Sequence, residues 1–271
     1  MMPLTDIQRQ ILDTVKNSSG RLTVTDILDM LATGATGRKT IRNSLKMLVE
    51  SGELTYSCSH GHTFVEQSFF RPVRLSRHVL VVPEGYSVFP EADDIAVIIR
   101  HGAAFGTGQH PSTRLAVQAL DHLLLDQKMM IHIPTSKMLD IGTGSGILAI
   151  ASLKMGIHQA VCLDIDPCAR FETLENARIN RVQNQLEVVD SELADIAPMF
   201  HLITANLRYP TLHNMIRDID RLTQPESCVV VAGIKRDECE PLKQKYQTAS
   251  FQPVWIETDG DWAGMILQKE S

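Results

Sequence analysis

The stretch that decides the fold is Lys137-Met138-Leu139-Asp140-Ile141-Gly142-Thr143-Gly144-Ser145-Gly146, which leads directly into an apolar run from Ile147 to Met155. Its order predicts a β-strand, a tight glycine turn and a helix, an arrangement that holds nucleotides in many α/β proteins. Glycine tolerates the backbone of such a turn, and we expect the amides there to approach a ligand closely. A dinucleotide site would require its third glycine at position 147, where this chain has isoleucine. The spacing therefore argues against a dinucleotide cofactor.

The next predicted strand, Ala160-Val161-Cys162-Leu163-Asp164, ends in a carboxylate. A carboxylate at this point of a nucleotide-binding sheet accepts hydrogen bonds from both hydroxyls of a ribose, which neutral side chains match poorly. Asp164 is therefore the candidate ribose ligand. Asp166 directly precedes Pro167, a favoured first residue of a helix, and is better suited to capping that helix.

Strand and helix patterns keep alternating towards the C-terminus, which predicts an α/β fold with a parallel sheet. Further strands are expected at 186–189, 202–205 and 228–233, and the runs 254–257 and 263–267 predict a final hairpin. Asp190 follows the first of these strands, where related folds contact an adenine, although a surface acid explains it equally well.

Length and composition restrict the class of protein. At 271 residues the chain exceeds the common size of one domain, so a catalytic domain with a smaller module is expected. A net charge of -6 argues against binding of nucleic acid by electrostatic attraction to the protein as a whole. The cysteines are scattered, which suits a reducing cytoplasm, and no apolar run or targeting segment predicts a membrane protein. Cys58, His60 and His62 lack the paired spacing of a structural zinc site, so no metal is expected.

Residues 1–66 carry three short helical patterns followed by a predicted hairpin. Thr5 and Thr23 are candidate N-caps of the first two helices, and Gly52 stands where the third needs a left-handed residue. Strand-like runs at 54–56 and 63–65 flank a polar tip. Three helices and a hairpin resemble a small winged-helix-like α+β domain.

The third helix places Arg38, Arg42 and Lys46 on one face. A winged helix would present such a basic stripe to nucleic acid or to an acidic partner. Because Glu50 and Glu53 follow closely, a solvated face is the favoured interpretation. Residues 67–100 then predict a β-rich connecting segment, after which the catalytic domain is expected at 101–271.

Four motifs in this chain have the order and spacing of a known family. They are Ala104-Phe105-Gly106-Thr107-Gly108-Gln109-His110-Pro111-Ser112-Thr113, then Asp140 to Gly146, then Asp164-Ile165-Asp166-Pro167, and finally Ala205-Asn206. Together they resemble the ribosomal protein L11 (PrmA-type) lysine methyltransferase family over about residues 70–271. The resemblance implies a Rossmann-like class I methyltransferase with a seven-stranded, mostly parallel sheet. Such an enzyme uses S-adenosylmethionine to N-methylate a protein amine in the cytoplasm, and a ribosomal protein is the candidate substrate that the resemblance implies.

The same resemblance, with the glycine turn and its flanking acids, implies a set of cofactor-binding residues. They are Thr113, Asp140, Gly142, Gly144, Gly146, Asp164, Asp190 and Asn206. In the family the acid at Asp140 faces the ammonium group of the methionine moiety. Asn206 is also the candidate catalytic residue, because its side-chain carbonyl would orient the reacting nitrogen. His110 is a rival, but a turn residue that braces the loop before Pro111 is the preferred interpretation.

The chain also departs from the family pattern. Gln109 and Ser112 are replacements, and Asn206-Leu207-Arg208-Tyr209 stands where the family usually has N-I-L-A. The N-terminal region lacks the family's ferredoxin-like substrate-recognition domain. Two alternatives therefore stay open: a methyltransferase acting on RNA, DNA or a small molecule, and a DNA-binding regulator that senses S-adenosylmethionine. The sequence does not predict an oligomeric state.

Overall fold

Helices and strands alternate through the chain and form two compact units, Met1–Arg71 and Pro72–Ser271. The computed structural model describes residues 4–18, 20–32, 36–59, 61–68, 71–87, 91–100, 102–127, 135–197 and 199–270. Among these residues, no helix combines the length and the apolar character needed to cross a membrane.

The first unit combines helices with a small antiparallel sheet, whose strand order is β1-β3-β2. Its core consists of apolar side chains from all three helices and the sheet, including Ile11, Ile27, Leu45 and Val65. In chain order the elements are α1 (Asp6–Asn17), β1 (Leu22–Thr23), α2 (Val24–Leu31), α3 (Arg38–Glu50), β2 (Leu54–Ser59) and β3 (His62–Gln67).

Local signals set the ends of these helices as predicted. Thr5 and Thr23 both form capping boxes, in which the threonine hydroxyl and the third helical residue exchange hydrogen bonds. Gly52 has a φ of +75°, which confirms the left-handed residue after α3. The hairpin strands are longer than predicted, because the ladder continues through Cys58↔Thr63 and Ser59↔His62 into the polar tip.

The second unit begins with a small sheet in which β5 pairs with β4 antiparallel and with β6 parallel. Strands were predicted here, and the structure places them in the second unit. The elements up to the glycine turn are β4 (Val73–Arg74), β5 (Val79–Pro83), β6 (Ile95–Ile99), α4 (Pro111–Asp121) and β7 (Lys137–Ile141).

Beyond the glycine turn, the chain builds the rest of a seven-stranded sheet of order β12-β13-β11-β10-β7-β8-β9. All neighbours from β11 to β9 are parallel, whereas β13 is antiparallel to both β11 and β12. This confirms the α/β class and the mostly parallel sheet. The remaining elements are α5 (Ile147–Lys154), β8 (Gln159–Leu163), α6 (Pro167–Ile179), β9 (Leu186–Val189), β10 (Phe200–Asn206), α7 (Tyr209–Asn214), α8 (Ile216–Leu222), β11 (Thr223–Lys235), α9 (Arg236–Gln247), β12 (Phe251–Asp259) and β13 (Trp262–Lys269).

Candidate functional site

The carboxyl ends of β7, β8 and β10 bring predicted site residues to one edge of the sheet. Asp140 is the penultimate residue of β7, Asp164 directly follows β8, and Asn206 ends β10. The strand order reverses between β7 and β10. Ligands of open α/β sheets bind outside such a switch point, so this edge is the candidate site.

Asp140 is a carboxylate with 0% exposure at the base of the site. Its Oδ2 accepts a hydrogen bond from the hydroxyl of Thr143 at 2.8 Å, and its Oδ1 accepts one from the hydroxyl of Thr204 at 2.6 Å. Burial raises the pKa of Asp140 to about 6, although these two hydrogen bonds oppose the rise. A buried negative charge that is held by neutral groups favours a bound cation nearby.

The glycine turn allows close packing but does not offer its amides to a ligand. The φ angles of Gly142, Gly144 and Gly146 are +70°, +57° and +79°. All amides from Gly142 to Gly146 donate to protein oxygens, over distances of 2.8 to 3.1 Å. Our expectation that these amides approach a ligand is therefore wrong. A phosphate cradle needs free amides, so the turn suits a cofactor without a pyrophosphate at this point.

Gly144 lies where the turn packs tightly against the loop that precedes α4. A Cβ there would lie 2.3 Å from the carbonyl oxygen of Phe105, which accepts the amide of Ser145. We expect Gly144→Ala to lower the free energy of unfolding by about 3 kcal/mol or more, through the clash and the left-handed backbone together. Chemical denaturation measures this loss.

Gly85→Ala is the matched control, because Gly85 has a φ of +80° but no atom within 4 Å of an added Cβ. It should lose about 1–2 kcal/mol from backbone strain alone. Equal losses in the two variants would contradict the steric argument.

Asp164 is fixed by the backbone yet keeps capacity to accept. Its Oδ2 accepts the amide of Gly144 at 2.9 Å, and its Oδ1 accepts the amide of Asp166 at 2.9 Å. An ionised carboxylate accepts about four hydrogen bonds, so each oxygen still has a lone pair for a ribose hydroxyl. Asp166 caps α6 through the amide of Cys168 at 2.8 Å, as predicted.

Asp190 is connected to the backbone of Asp164 through an arginine. Arg170 donates to the main-chain oxygen of Asp164 at 2.8 Å and to Oδ2 of Asp190 at 2.8 Å. The Asp190 side chain is 78% exposed. It is therefore a surface acid that lies on the same edge of the sheet, so both interpretations from the sequence fit this position.

Sequence reasoning missed Ile165, which lies between Asp164 and Asp166. This isoleucine is 94% exposed, an unusual state for a large apolar side chain. An exposed apolar surface beside the candidate ribose ligand fits the flat face of a nucleobase. The available signal was an apolar residue between two acids just after a strand.

The side chains of Asn206 and Thr113, which were both predicted to bind the cofactor, contact each other in the candidate site. The Nδ2 atom of Asn206 donates to the hydroxyl of Thr113 at 3.3 Å, and Thr113 has 0% exposure. The Oδ1 atom of Asn206 is buried and accepts no hydrogen bond within the protein. A Cβ on Gly233 would lie 2.9 Å from this oxygen, so glycine is needed beside it. An unsatisfied buried acceptor is costly and indicates a donor from a ligand.

The loop before α4 is held against β13 by aromatic rings. His110 caps α4 by accepting the amide of Ser112 at 3.2 Å through Nδ1. Its ring centroid lies 5.3 Å from that of Phe105 and 4.3 Å from that of Trp262. These contacts support the interpretation of His110 as a bracing residue.

Two minor candidates from the sequence lie in the first unit. No cluster of potential metal ligands occurs among the described residues. Of Cys58, His60 and His62, which the sequence argues against as a metal site, His60 and the side chain of Cys58 lie outside the described residues. In the basic stripe, Arg38 pairs with Asp29, and Lys46 lies 3.6 Å from Glu50. Most of the stripe is therefore neutralised locally.

Comparison with known proteins places most of the chain in one family. The family profile described as Ribosomal protein L11 methyltransferase (PrmA) matches residues 59–270. A Ribosomal protein L11 methyltransferase of Exiguobacterium sibiricum is 32% identical over 206 residues, which are 76% of this chain and 63% of that protein. A protein of the same name from Geobacter sulfurreducens is 31% identical over 201 residues, 74% of this chain and 64% of that protein.

A solved structure agrees with these relatives. The crystal structure of a ribosomal protein L11 methylase from Lactobacillus delbrueckii subsp. bulgaricus superposes with a TM-score of 0.65 at 28% identity, covering 74% of this chain and 100% of that one. The chain thus spans about 63% of the length of the curated relatives named above.

Proposed function

The chain belongs to the ribosomal protein L11 methyltransferase (PrmA) family, and from this premise we propose that it uses S-adenosylmethionine to methylate an amine nitrogen of a protein. The observation that carries the proposal is the buried, unsatisfied Oδ1 of Asn206 at the edge of the sheet that also holds Asp164. An oxygen in this position accepts a hydrogen bond from an amine and so directs its lone pair.

The side chains at this edge of the sheet fit the proposed cofactor. Asp140 would provide negative charge near the ammonium group, Asp164 would bind the ribose, and Ile165 would cover the adenine. Thr113, Asp190 and the glycines of the turn are the other proposed contacts. The absence of free amides in the glycine turn agrees with a cofactor that carries no phosphate.

When bound, S-adenosylmethionine supplies a methyl group that is already activated by its sulfonium. The chain therefore has to hold a neutral nucleophile in line, and positioning accounts for most of the rate. A lysine amine with an ordinary pKa of about 10.4 is neutral at pH 7.4 at a cost of roughly 4 kcal/mol, which desolvation beside a cation reduces. No dedicated general base is needed, which agrees with a bracing role for His110.

The acceptor itself is a further part of the proposal. We take it to be a protein, with a ribosomal protein as the candidate that the names of the relatives suggest, and we place the reaction in the cytoplasm. The first unit has the element order of a winged-helix-like domain, which we propose as a module for partner binding. The local pairing of Arg38 and Lys46 gives little support to nucleic-acid binding or to a regulator.

Calorimetry with S-adenosylmethionine tests the cofactor assignment. We expect Asp164→Asn to weaken the affinity at least tenfold, because one acceptor becomes a donor that faces a backbone amide and the ribose loses a charged partner. Asp166→Asn is the matched control: it removes the same charge two residues away but keeps a good helix cap. An unchanged affinity in Asp164→Asn would refute the assignment.

Transfer itself is tested with labelled cofactor, purified ribosomal protein L11, total RNA and a fractionated lysate. Label in protein supports the proposal. Label in RNA alone would favour the nucleic-acid alternative, and cofactor binding without any transfer would favour the sensing regulator.

A further inference from the structure

We propose that Arg208 and Lys235, together called the cation pair, form a subsite for a carboxylate that lies beside the methylated nitrogen of the acceptor. This inference rests on the proposed function, because it assigns a preference to the same site. It predicts that acidic residues flank the nitrogen in the protein that is methylated.

Both cations lie against one aromatic ring. The Nζ atom of Lys235 is 4.0 Å from the ring centroid of Trp262, and the Cζ atom of Arg208 is 5.4 Å from the same centroid. Cation–π contacts position the two groups without neutralising their charge. Two like charges beside one ring repel each other, so an anion bound at the ring would stabilise both.

The cation pair is close in the fold to the proposed catalytic residue. Arg208 follows Asn206 by two positions, and the amide of Leu207 donates to the main-chain oxygen of Ala232 at 3.1 Å. Gly233 follows Ala232 in β11, and a Cβ added there would lie 2.9 Å from Oδ1 of Asn206. Lys235 ends β11 and is the register partner of Trp262 in β13. The same strand ends therefore carry the unsatisfied oxygen and the cations.

Neighbouring cations have partners, which sets the pair apart. Arg114 is bound to Asp259 at 2.6 Å, and Arg236 donates to the hydroxyl of Thr258 at 2.9 Å. Within the described part of the chain, neither Arg208 nor Lys235 makes an ion pair; the carboxylate of Glu238 accepts the backbone amide of Lys235 at 2.7 Å. The usual family sequence N-I-L-A has leucine at position 208, so Arg208 is one of the departures of this chain from that pattern.

The number of cations indicates which kind of anion the cation pair would bind. Recognition of nucleic acid needs a run of cations that follows several phosphates. Two cations on a chain of net charge -6 instead fit one carboxylate group. A protein segment with glutamate or aspartate next to the reactive amine satisfies this arrangement.

Fluorescence of Trp262 provides a test that needs no methyl transfer. The chain has two tryptophans, so Trp255→Phe leaves Trp262 as the single reporter. This variant is titrated with a peptide in which glutamates flank one lysine, and with the matched peptide in which glutamines replace them. We expect the glutamate peptide to bind at least tenfold more tightly, which is the effect of one charge-assisted contact.

Arg208→Gln and Lys235→Gln, each in the reporter background, should bring the two peptides to within about threefold of each other. Arg236→Gln removes an adjacent charge that does not lie on the ring, and it should keep the tenfold difference. Thermal melting checks that every variant is folded. Equal binding of the two peptides, no binding of either, or an unchanged difference in the pair variants would overturn the inference.

Competition with single-stranded RNA is a further test. If RNA displaced the bound glutamate peptide at a lower concentration than added glutamate peptide does, the inference would be overturned in favour of nucleic acid. Because the titration is done without cofactor, failure of the proposed methyl transfer would leave its result readable. Conversely, loss of peptide discrimination with normal transfer would refute only the subsite.

Discussion

Asp140→Asn should make the cofactor-free protein more stable at pH 8 while weakening its affinity for S-adenosylmethionine at least tenfold. The wild-type carboxylate is ionised at that pH inside a buried site, and burial has raised its pKa to about 6. A rise of this size from an ordinary value near 4 corresponds to about 3 kcal/mol of folding free energy lost on ionisation. Asparagine removes the charge, and the hydroxyls of Thr143 and Thr204 can donate or accept, so its hydrogen bonds can be kept.

The sign of the pH dependence distinguishes this effect from general stabilisation. Below pH 4 the carboxyl group is protonated in both the folded and the unfolded chain, so wild type loses nothing relative to the variant. As the pH rises from about 4 through 6, only the wild type loses stability, and the advantage of the variant grows to its full value. Denaturant unfolding at pH 5 and pH 8 measures the difference.

Asp93→Asn is the control for this experiment, because Asp93 is exposed and lies far along the chain from the site. It should show neither the stability gain nor the loss of affinity. For the wild type, calorimetry should show cofactor affinity falling as the pH drops through about 6, since the proton competes with the bound cation. A variant that is less stable than wild type at pH 8 would contradict the account of a strained buried charge.

Asn206→Ala should lower the rate of methyl transfer about a hundredfold while weakening cofactor affinity much less. The orienting oxygen is lost, and misplacement of a nucleophile by about 1 Å costs a factor of this order. Single-turnover kinetics with labelled cofactor measure transfer, and calorimetry measures affinity.

Thr113→Val gives a graded comparison. It removes the hydroxyl that accepts from Nδ2 of Asn206 but leaves the Oδ1 atom in place. We expect a loss of about tenfold in transfer, because the amide is less firmly oriented. If affinity and transfer fell by the same factor in Asn206→Ala, Asn206 would be a cofactor ligand only, and its catalytic role would be rejected.

Much of the site was predictable because its residues occur at fixed places in a repeated strand-turn-helix pattern. Asp140, Asp164 and Asn206 each lie at or directly beside the carboxyl end of a parallel strand, and such ends meet at one edge whatever the intervening loops do. The role of Asp166 as the helix cap was also predictable, since the proline after it fixes the helix start, and this leaves Asp164 as the candidate ligand.

Contacts between distant segments were not predictable in this way. The sequence places glycines in the turn, but it does not reveal that the amides of the turn are already used. The amide of Gly144 donates to the side chain of Asp164, directly after the next strand, and the amide of Ser145 donates to the carbonyl of Phe105. The exposure of Ile165 and the shared ring of Trp262 likewise depend on how separate strands end in space.

The sequence by itself thus determined the elements, their α/β order and the chemical type of the site, because these follow from local periodicity and from residues close together in the chain. Only the tertiary structure decided the burial of Asp140, the unsatisfied oxygen of Asn206 and the shared contact of Arg208 and Lys235 with the ring of Trp262. Burial and charge separation are set by every segment that packs around a group, and no single stretch of sequence contains that information.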